Sequence, residues 1–276
     1  MIGDANTATS PYMRFTAETA YGTGFSVKGD VFRSNQLTIR LQNYPFNELS
    51  STAPYPIVHN NPKLTIPTAP TIESYYQCFK MFSNEITTPN SRVFTHHAVI
   101  GNEIPNERYK LIDGHFMIKQ SPATAYYKYA FCNRSQVPVY WLSYDTNKKC
   151  ELKLPLVYGK LAYCRLYEKF VTSQPLFKII YDQYKSFDGD VTICSYGAYP
   201  KLSNFSSQED LINMFIDPKY DFCDCYCLIE ILVNYPKTEN CFWNNDEIIQ
   251  PILNAENEQF VQLKQKYNLY HLRVGG

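Results

Sequence analysis

Three cysteines at alternate positions, Cys223, Cys225 and Cys227 in Asp221-Phe-Cys-Asp-Cys-Tyr-Cys227, form the densest group of chemically competent side chains in the sequence. Alternate spacing gathers three thiols on one face only in a strand. On a helix Cys223 and Cys227 share a face and Cys225 turns away. A zinc site usually combines two closely spaced ligand pairs, and no second Cys or His pair stands at matching spacing. The trio is open to three readings: metal ligands, redox thiols, or small buried side chains beneath the helix that follows.

His96 and His97 are adjacent within a strand-like stretch. On a strand they point to opposite faces and cannot chelate one ion together, although either could act as a general base near neutral pH. His115 follows the Asp113-Gly114 turn and reads as a turn-flanking residue. Glu73, Glu85, Asp113 and Glu230 are the acids that acid–base or glycosidic chemistry would draw on, and their geometry decides that use. Glu230 sits among Leu228, Ile229, Ile231 and Leu232, where burial would raise its pKa. Tyr21-Gly-Thr-Gly24 is half of a glycine-rich phosphate loop. The third glycine is replaced by Val27 and no helix signal follows, so a strand turn is the better reading. The candidate catalytic residues are therefore His96, His97, His115 and Glu230, with Cys223, Cys225 and Cys227 as candidate metal ligands. No cofactor is expected.

The elements that must position these groups fall into two styles. Residues 36–42 alternate, with Leu37, Ile39 and Leu41 on one face, which predicts a half-buried strand. Tyr109 to Lys119 predicts a hairpin around Asp113-Gly114, and Val137–Tyr144 with Cys150–Leu154 a second one turning at 145–147. Arg92 to Ile100 reads as a strand. Residues 53–70 hold five prolines and read as an extended arm. Thr71 caps a short helix. After Gly159 helical spacing takes over: Lys160–Thr172, then Leu176–Phe187 beyond Pro175. A short strand follows over 191–195, then a helix from Ser207 toward Ile216, one over 224–234, and a long one over 246–267 kinked near Pro251. The expected fold class is α+β, with an antiparallel β-rich region over 1–155 and a helix-rich region with a short strand over 156–276.

Composition narrows the function classes. The 276 residues carry 26 basic and 26 acidic side chains, a net charge of +0, so a phosphate-neutralising nucleic-acid binder is not expected. The first ten residues lack the basic and apolar regions of a signal peptide, and no run of about 18 apolar residues exists to span a membrane. The nine Cys then read as free thiols in a reducing compartment, and the chain as cytoplasmic rather than secreted. Aromatic residues are 16%, including 24 Tyr. Tyr suits half-buried sheets and interfaces, while an AT-rich genome also writes such a composition. The chain ends His271-Leu-Arg-Val-Gly-Gly276, the kind of end left by proteases that cut after Gly-Gly.

Residues 163–236 resemble the C-terminal part of uncharacterised proteins of large DNA viruses. The resemblance rests on Tyr163-Cys-Arg-Leu-Tyr-Glu168, on Val191-Thr-Ile-Cys-Ser195 with Tyr196, and on the stretch from Asp217 to Leu228 that ends before Asn234-Tyr-Pro236. That pattern has Phe-Gly-His-Glu where this chain has Phe222-Cys-Asp-Cys225, so any role of its polar trio is missing here. The resemblance implies a viral source, in the host cytoplasm, and no particular activity. The first expectation is thus a non-enzymatic viral structural or host-interaction protein with a Tyr-rich binding surface, partnered by proteins or by a second copy of itself. The alternatives are an enzyme acting on a nucleotide, sugar or nucleic-acid substrate in an inter-domain cleft, and a product of polyprotein processing after Gly-Gly.

Overall fold

Val191-Thr-Ile-Cys-Ser195 is buried at every position, on both faces. Such a strand needs partners on either edge and cover above and below, as in a parallel sheet. The computed structural model describes residues 10–19, 36–41, 43–58, 68–69, 71–78, 80–81, 109–112, 115–118, 140–195, 202–203, 205–218 and 222–266. The strands are β1 Phe15–Thr19, β2 Gln36–Arg40, β3 Ile57–Val58, β4 Thr68–Ala69, β5 Lys80–Met81, β6 Tyr109–Ile112, β7 His115–Ile118, β8 Tyr140–Asp145, β9 Cys150–Leu154, β10 Asp190–Ser195 and β11 Leu202–Ser203. The helices are α1 Ile72–Cys78, α2 Leu156–Thr172, α3 Pro175–Ser186, α4 Gln208–Ile216, α5 Asp224–Asn234 and α6 Asp246–Lys266.

The chain divides into two units, one of residues 1–50 and 168–245, the other of residues 51–167 and 246–276. In the first unit, β10 lies between β1 and β2 and runs parallel to both, while β11 is antiparallel on the far edge of β1. Helices and strands are both present, as an α+β class requires, but the leading sheet is not antiparallel. The alternation over 36–42 identifies a strand and one apolar face, and says nothing about its partner. That partner is β10, supplied from far downstream. Arg14 fixes the β1–β10 register. Its guanidinium donates to the carbonyls of Gly189, at 3.0 and 2.9 Å, and of Phe187, so the residue before β1 is tied to the lead-in of β10.

Register assigns the two faces. Phe15, Val191 and Leu37 form one fully buried row, and Ala17, Ile193 and Ile39 the next. The opposite face carries Thr16, Thr192 and Thr38, then Glu18, Cys194 and Arg40 at the carboxyl edge. Helix α5 packs on β10 and β1. It is buried from Asp224 through Leu232 and, apart from Asp224 and Glu230, apolar on every side, as a central helix must be. Each fully buried Leu or Ile there contributes about 1.5–3 kcal/mol. Helix α3 begins with Pro175 in its first turn, where the missing N–H costs nothing. Helix α4 opens with a capping box between Ser207 and Asp210.

In the second unit, β5, β8 and β9 form an antiparallel sheet, β6–β7 a hairpin, and β3–β4 a short antiparallel pair. Both expected hairpins are present. Asp145 closes the β8–β9 turn by accepting from the N–H groups of Asn147, at 2.9 Å, and Lys148, at 3.0 Å, with Lys149 at φ 52°. The Pro-rich arm is pinned near its ends, since Ile57 and Val58 pair with Ala69 and Thr68. The strand expected over 92–100 lies outside the described residues. Helix α6 contains Pro251 as one continuous helix, so of the break or kink expected there the break is absent.

Helix α2 starts before Gly159, which the sequence takes as a helix boundary. The glycine is there for space. A Cβ at position 159 would lie 2.5 Å from Cδ1 and 2.6 Å from Cγ of the Trp141 indole. Trp141 is buried on β8 and meets Tyr75 edge-on at 6.0 Å. Among the described residues no helix is long and apolar enough to cross a membrane. Gly159→Ala should destabilise the chain by about 1–3 kcal/mol through overpacking, despite alanine's better helix propensity. Urea denaturation followed by tryptophan fluorescence checks this, and an unchanged or higher midpoint would refute the close approach.

Candidate functional site

Two buried polar groups lie at opposite ends of α5. At its amino end Asp224 is almost fully buried in the first turn, where a carboxylate complements the helix dipole. Ser50 Oγ donates to its Oδ2 at 3.2 Å, and Ser195 Oγ donates to its Oδ1. Ser195 is the last residue of β10. Ser50 closes the segment that leaves β2, after the 3-10 turn Phe46–Leu49. The three residues therefore meet at the carboxyl edge of the parallel sheet. The row Glu18, Cys194 and Arg40 occupies the same edge on the opposite face.

The cysteines sit at this amino end as well. Cys223 is the N-cap of α5, with extended backbone at φ −93° and ψ 177°, and Cys225 lies one turn position inside the helix. Their sulfurs are 3.1 Å apart. The helical-face argument paired Cys223 with Cys227 and turned Cys225 away. It fails because Cys223 is not in the helix: its extended backbone swings the thiol toward Cys225. Burial pushes both thiols up, Cys225 the further. Among the described residues no three His, Cys, Asp or Glu side chains converge in a way that could hold a metal ion.

Toward the other end of α5, Glu230 is 0% exposed. Its carboxylate accepts from Tyr12 Oη at 2.8 Å, Gln208 Nε2 at 2.6 Å and the Phe242 backbone N–H at 2.9 Å. Asn234 Nδ2 donates to the Glu230 carbonyl at 2.9 Å and to Tyr12 Oη at 3.3 Å. Burial raises the Glu230 pKa, and its three donors oppose the rise without cancelling it. Burial, then the neighbouring carboxylate, pushes the Tyr12 phenol up as well, so it stays a neutral donor. Glu230 is buried with a raised pKa, and does not lie on an exposed stripe of the helix, the commoner place for a lone acid in an apolar helical run. Its role as a catalytic acid is not what this geometry offers, because every donor comes from the protein's own framework and no face meets solvent.

Of the other residues singled out in the sequence, His96, His97, Glu85, Asp113 and the segments 21–24 and 271–276 lie outside the described residues. His115 opens β7 opposite Ile112. Glu73 lies in the first turn of α1, with Ser51 Oγ at 3.5 Å. Of the four candidate catalytic residues, the structure describes the side chain of Glu230 and the backbone of His115. It gathers Ser50, Ser195 and Asp224, which sequence reasoning missed. Asp224 had one usable signal, an acid just inside a helix start. Also missed was Lys160, a buried lysine on α2 whose charge counters the burial of Glu256 on α6. No protein family, curated protein or solved structure matches the chain.

Removing the Glu230 carboxylate leaves three buried donors unanswered. Glu230→Ala should therefore cost about 3–5 kcal/mol, and Glu230→Gln less, since the amide oxygen still accepts. The pH dependence has a definite sign. A carboxyl whose folded pKa lies above its unfolded value near 4.5 stabilises the fold most fully below that value, and this contribution is lost as pH rises through the folded pKa. Denaturation at a series of pH values should show that loss in the wild type and not in Glu230→Gln. A parallel profile in both proteins would contradict it.

Proposed function

We propose that the first unit binds a small phosphorylated polar ligand, a nucleotide or sugar phosphate, at the carboxyl edge of β1, β10 and β2, and that the protein acts on it there. The observation that carries this reading is the buried Ser195–Asp224–Ser50 group at the carboxyl end of a central parallel strand. In open parallel sheets, ligands bind in the crevice beyond the carboxyl ends of the strands. On the opposite face, Glu18 and Arg40 flank Cys194 on strands two ladder spacings apart, about 10 Å. An arginine at one side suits a phosphate, and a carboxylate at the other suits ribose or sugar hydroxyls. Asp224 is the proton acceptor placed beside the Ser195 hydroxyl.

The placement of the tyrosines favours this reading over the expected Tyr-rich docking protein of viral origin. Tyr12, Tyr76, Tyr140, Tyr163, Tyr167, Tyr184 and Tyr226 are all buried in the core. The ring pairs Tyr76–Tyr163 at 5.2 Å and Tyr163–Tyr167 at 6.2 Å are internal to the second unit. Tyr44, at 79% exposure, is the one tyrosine among the large apolar side chains that stand open in the described residues. Among the described side chains, half of the tyrosines thus serve core packing.

The test is a thermal-shift and NMR titration of the full chain against nucleoside mono-, di- and triphosphates, sugar phosphates and the corresponding unphosphorylated sugars. At least one phosphorylated class should bind, with Arg40→Ala weakening it about tenfold or more and Ser195→Ala altering turnover or affinity of the same ligand. Binding of no class, or binding indifferent to both substitutions, would contradict the proposal.

A further inference from the structure

We propose that Cys223 and Cys225 form a redox-active dithiol, which yields two electrons to a small disulfide and closes an internal Cys223–Cys225 disulfide at the amino end of α5. The inference does not depend on the ligand reading above. It rests first on distance. The two sulfurs stand 3.1 Å apart, and a disulfide needs about 2.05 Å, so the closing motion is about 1 Å. That motion is available at the N-cap, where Cys223 has extended backbone and precedes the helical hydrogen-bond ladder.

The two thiols are not equivalent, and the asymmetry assigns their order. Cys223 is the N-cap residue and keeps 8% exposure while Cys225 and Cys227 within α5 have none, so of the pair Cys223 lies nearer solvent, and local opening of the N-cap is what admits an outside disulfide. Either thiol can donate across the 3.1 Å contact, and the amides of Cys225 and Tyr226 at the helix start lie toward the Cys223 sulfur without closing a full capping hydrogen bond. A hydrogen bond from Cys225 and the helix-start amides favour a thiolate on Cys223, against the burial and the adjacent Asp224 carboxylate that together keep its thiol raised, whereas the contact with Cys223 pushes Cys225 further up. Helix N-termini favour thiolates in the same sense. Cys223 is thus the attacking thiol and Cys225 the resolving one.

The electrons balance with a low-molecular-weight disulfide such as oxidised glutathione as the oxidant. The Cys223 thiolate attacks one glutathione sulfur, the S–S bond breaks, and one glutathione leaves as a thiolate that takes up the Cys223 proton from solvent. The Cys225 thiol loses its proton and its sulfur attacks the Cys223 sulfur of the mixed disulfide. A second glutathione leaves and is protonated. Two protein thiols become one disulfide, and one disulfide becomes two thiols. A disulfide across one intervening residue is strained, which makes it labile and readily reversed.

The experiment equilibrates the folded full-length chain in a graded series of reduced and oxidised glutathione. Free thiols are then blocked with one alkylating reagent, the protein is reduced, and the released thiols are labelled with a second. Peptide mapping should find Cys223 and Cys225 released together, with Cys194, Cys227 and Cys241 in the first label, and reduced glutathione should reverse the change. In Cys225→Ser the mixed disulfide should accumulate, so glutathione is found on Cys223. A dithiol that stays reduced across the series, or a disulfide joining either cysteine to Cys194 or Cys227, would overturn the proposal. So would a folded Cys225→Ser protein that carries no glutathione on Cys223. The wild-type mapping decides the matter alone if Cys225→Ser does not fold.

Discussion

A carboxylate with no exposed surface is the constraint around which the first unit is arranged. Burying Glu230 would cost several kcal/mol if it were left unanswered. The fold answers it with donors from three separate segments: Tyr12 ahead of β1, Gln208 at the start of α4, and the Phe242 amide beyond α5. Apolar burial could bring those segments near α5 in more than one way. The carboxylate accepts only the arrangement in which all three donors converge. It converts a greasy helix, which alone would tolerate rotation or sliding, into one with a fixed rotation and height.

The carboxyl edge depends on that fixation. Asp224 lies nearly two turns before Glu230 on the same helix, so the rotation that points Glu230 at Tyr12 also sets where Asp224 meets Ser195 and Ser50. The sheet contributes its own pin through Arg14, which holds the lead-ins of β1 and β10 together while its guanidinium lies 5.4 Å from the Tyr184 ring centroid. Aromatic packing fills what remains. Phe215, Phe222 and Phe242 meet edge-on at 5.1 to 5.9 Å, and Tyr181 donates to the Tyr235 carbonyl at 2.7 Å.

Local chemistry made much of this legible from sequence. The hairpins declared themselves through Asp145 and Asp113-Gly114, α3 through Pro175, α4 through Ser207, and α5 through an apolar run interrupted by Glu230. Sheet direction did not, because alternation reports which face is buried and not which strand is adjacent. The β10 insertion between β1 and β2 is a non-local pairing that no window of residues contains. Gly159 misled for a related reason. Its meaning depends on Trp141, which reaches it across the fold of the second unit. The Ser195–Asp224–Ser50 group escaped notice because each member is an ordinary polar residue until three chain segments meet. Cys223 and Cys225 were seen but assigned the wrong geometry, since a periodicity argument treats an N-cap as though it were already helical.

The most direct test of the Glu230 account is native-state hydrogen exchange at the Phe242 amide, whose only role in this arrangement is to donate to the carboxylate at 2.9 Å. If the carboxylate holds α5 in place, that amide should exchange with the same opening free energy as the central amides of α5 and β10, although it belongs to no regular element. Exchange at the rate of an exposed loop amide, with α5 and β10 still protected, would contradict the account and reduce Glu230 to a passenger on a helix held by apolar packing alone.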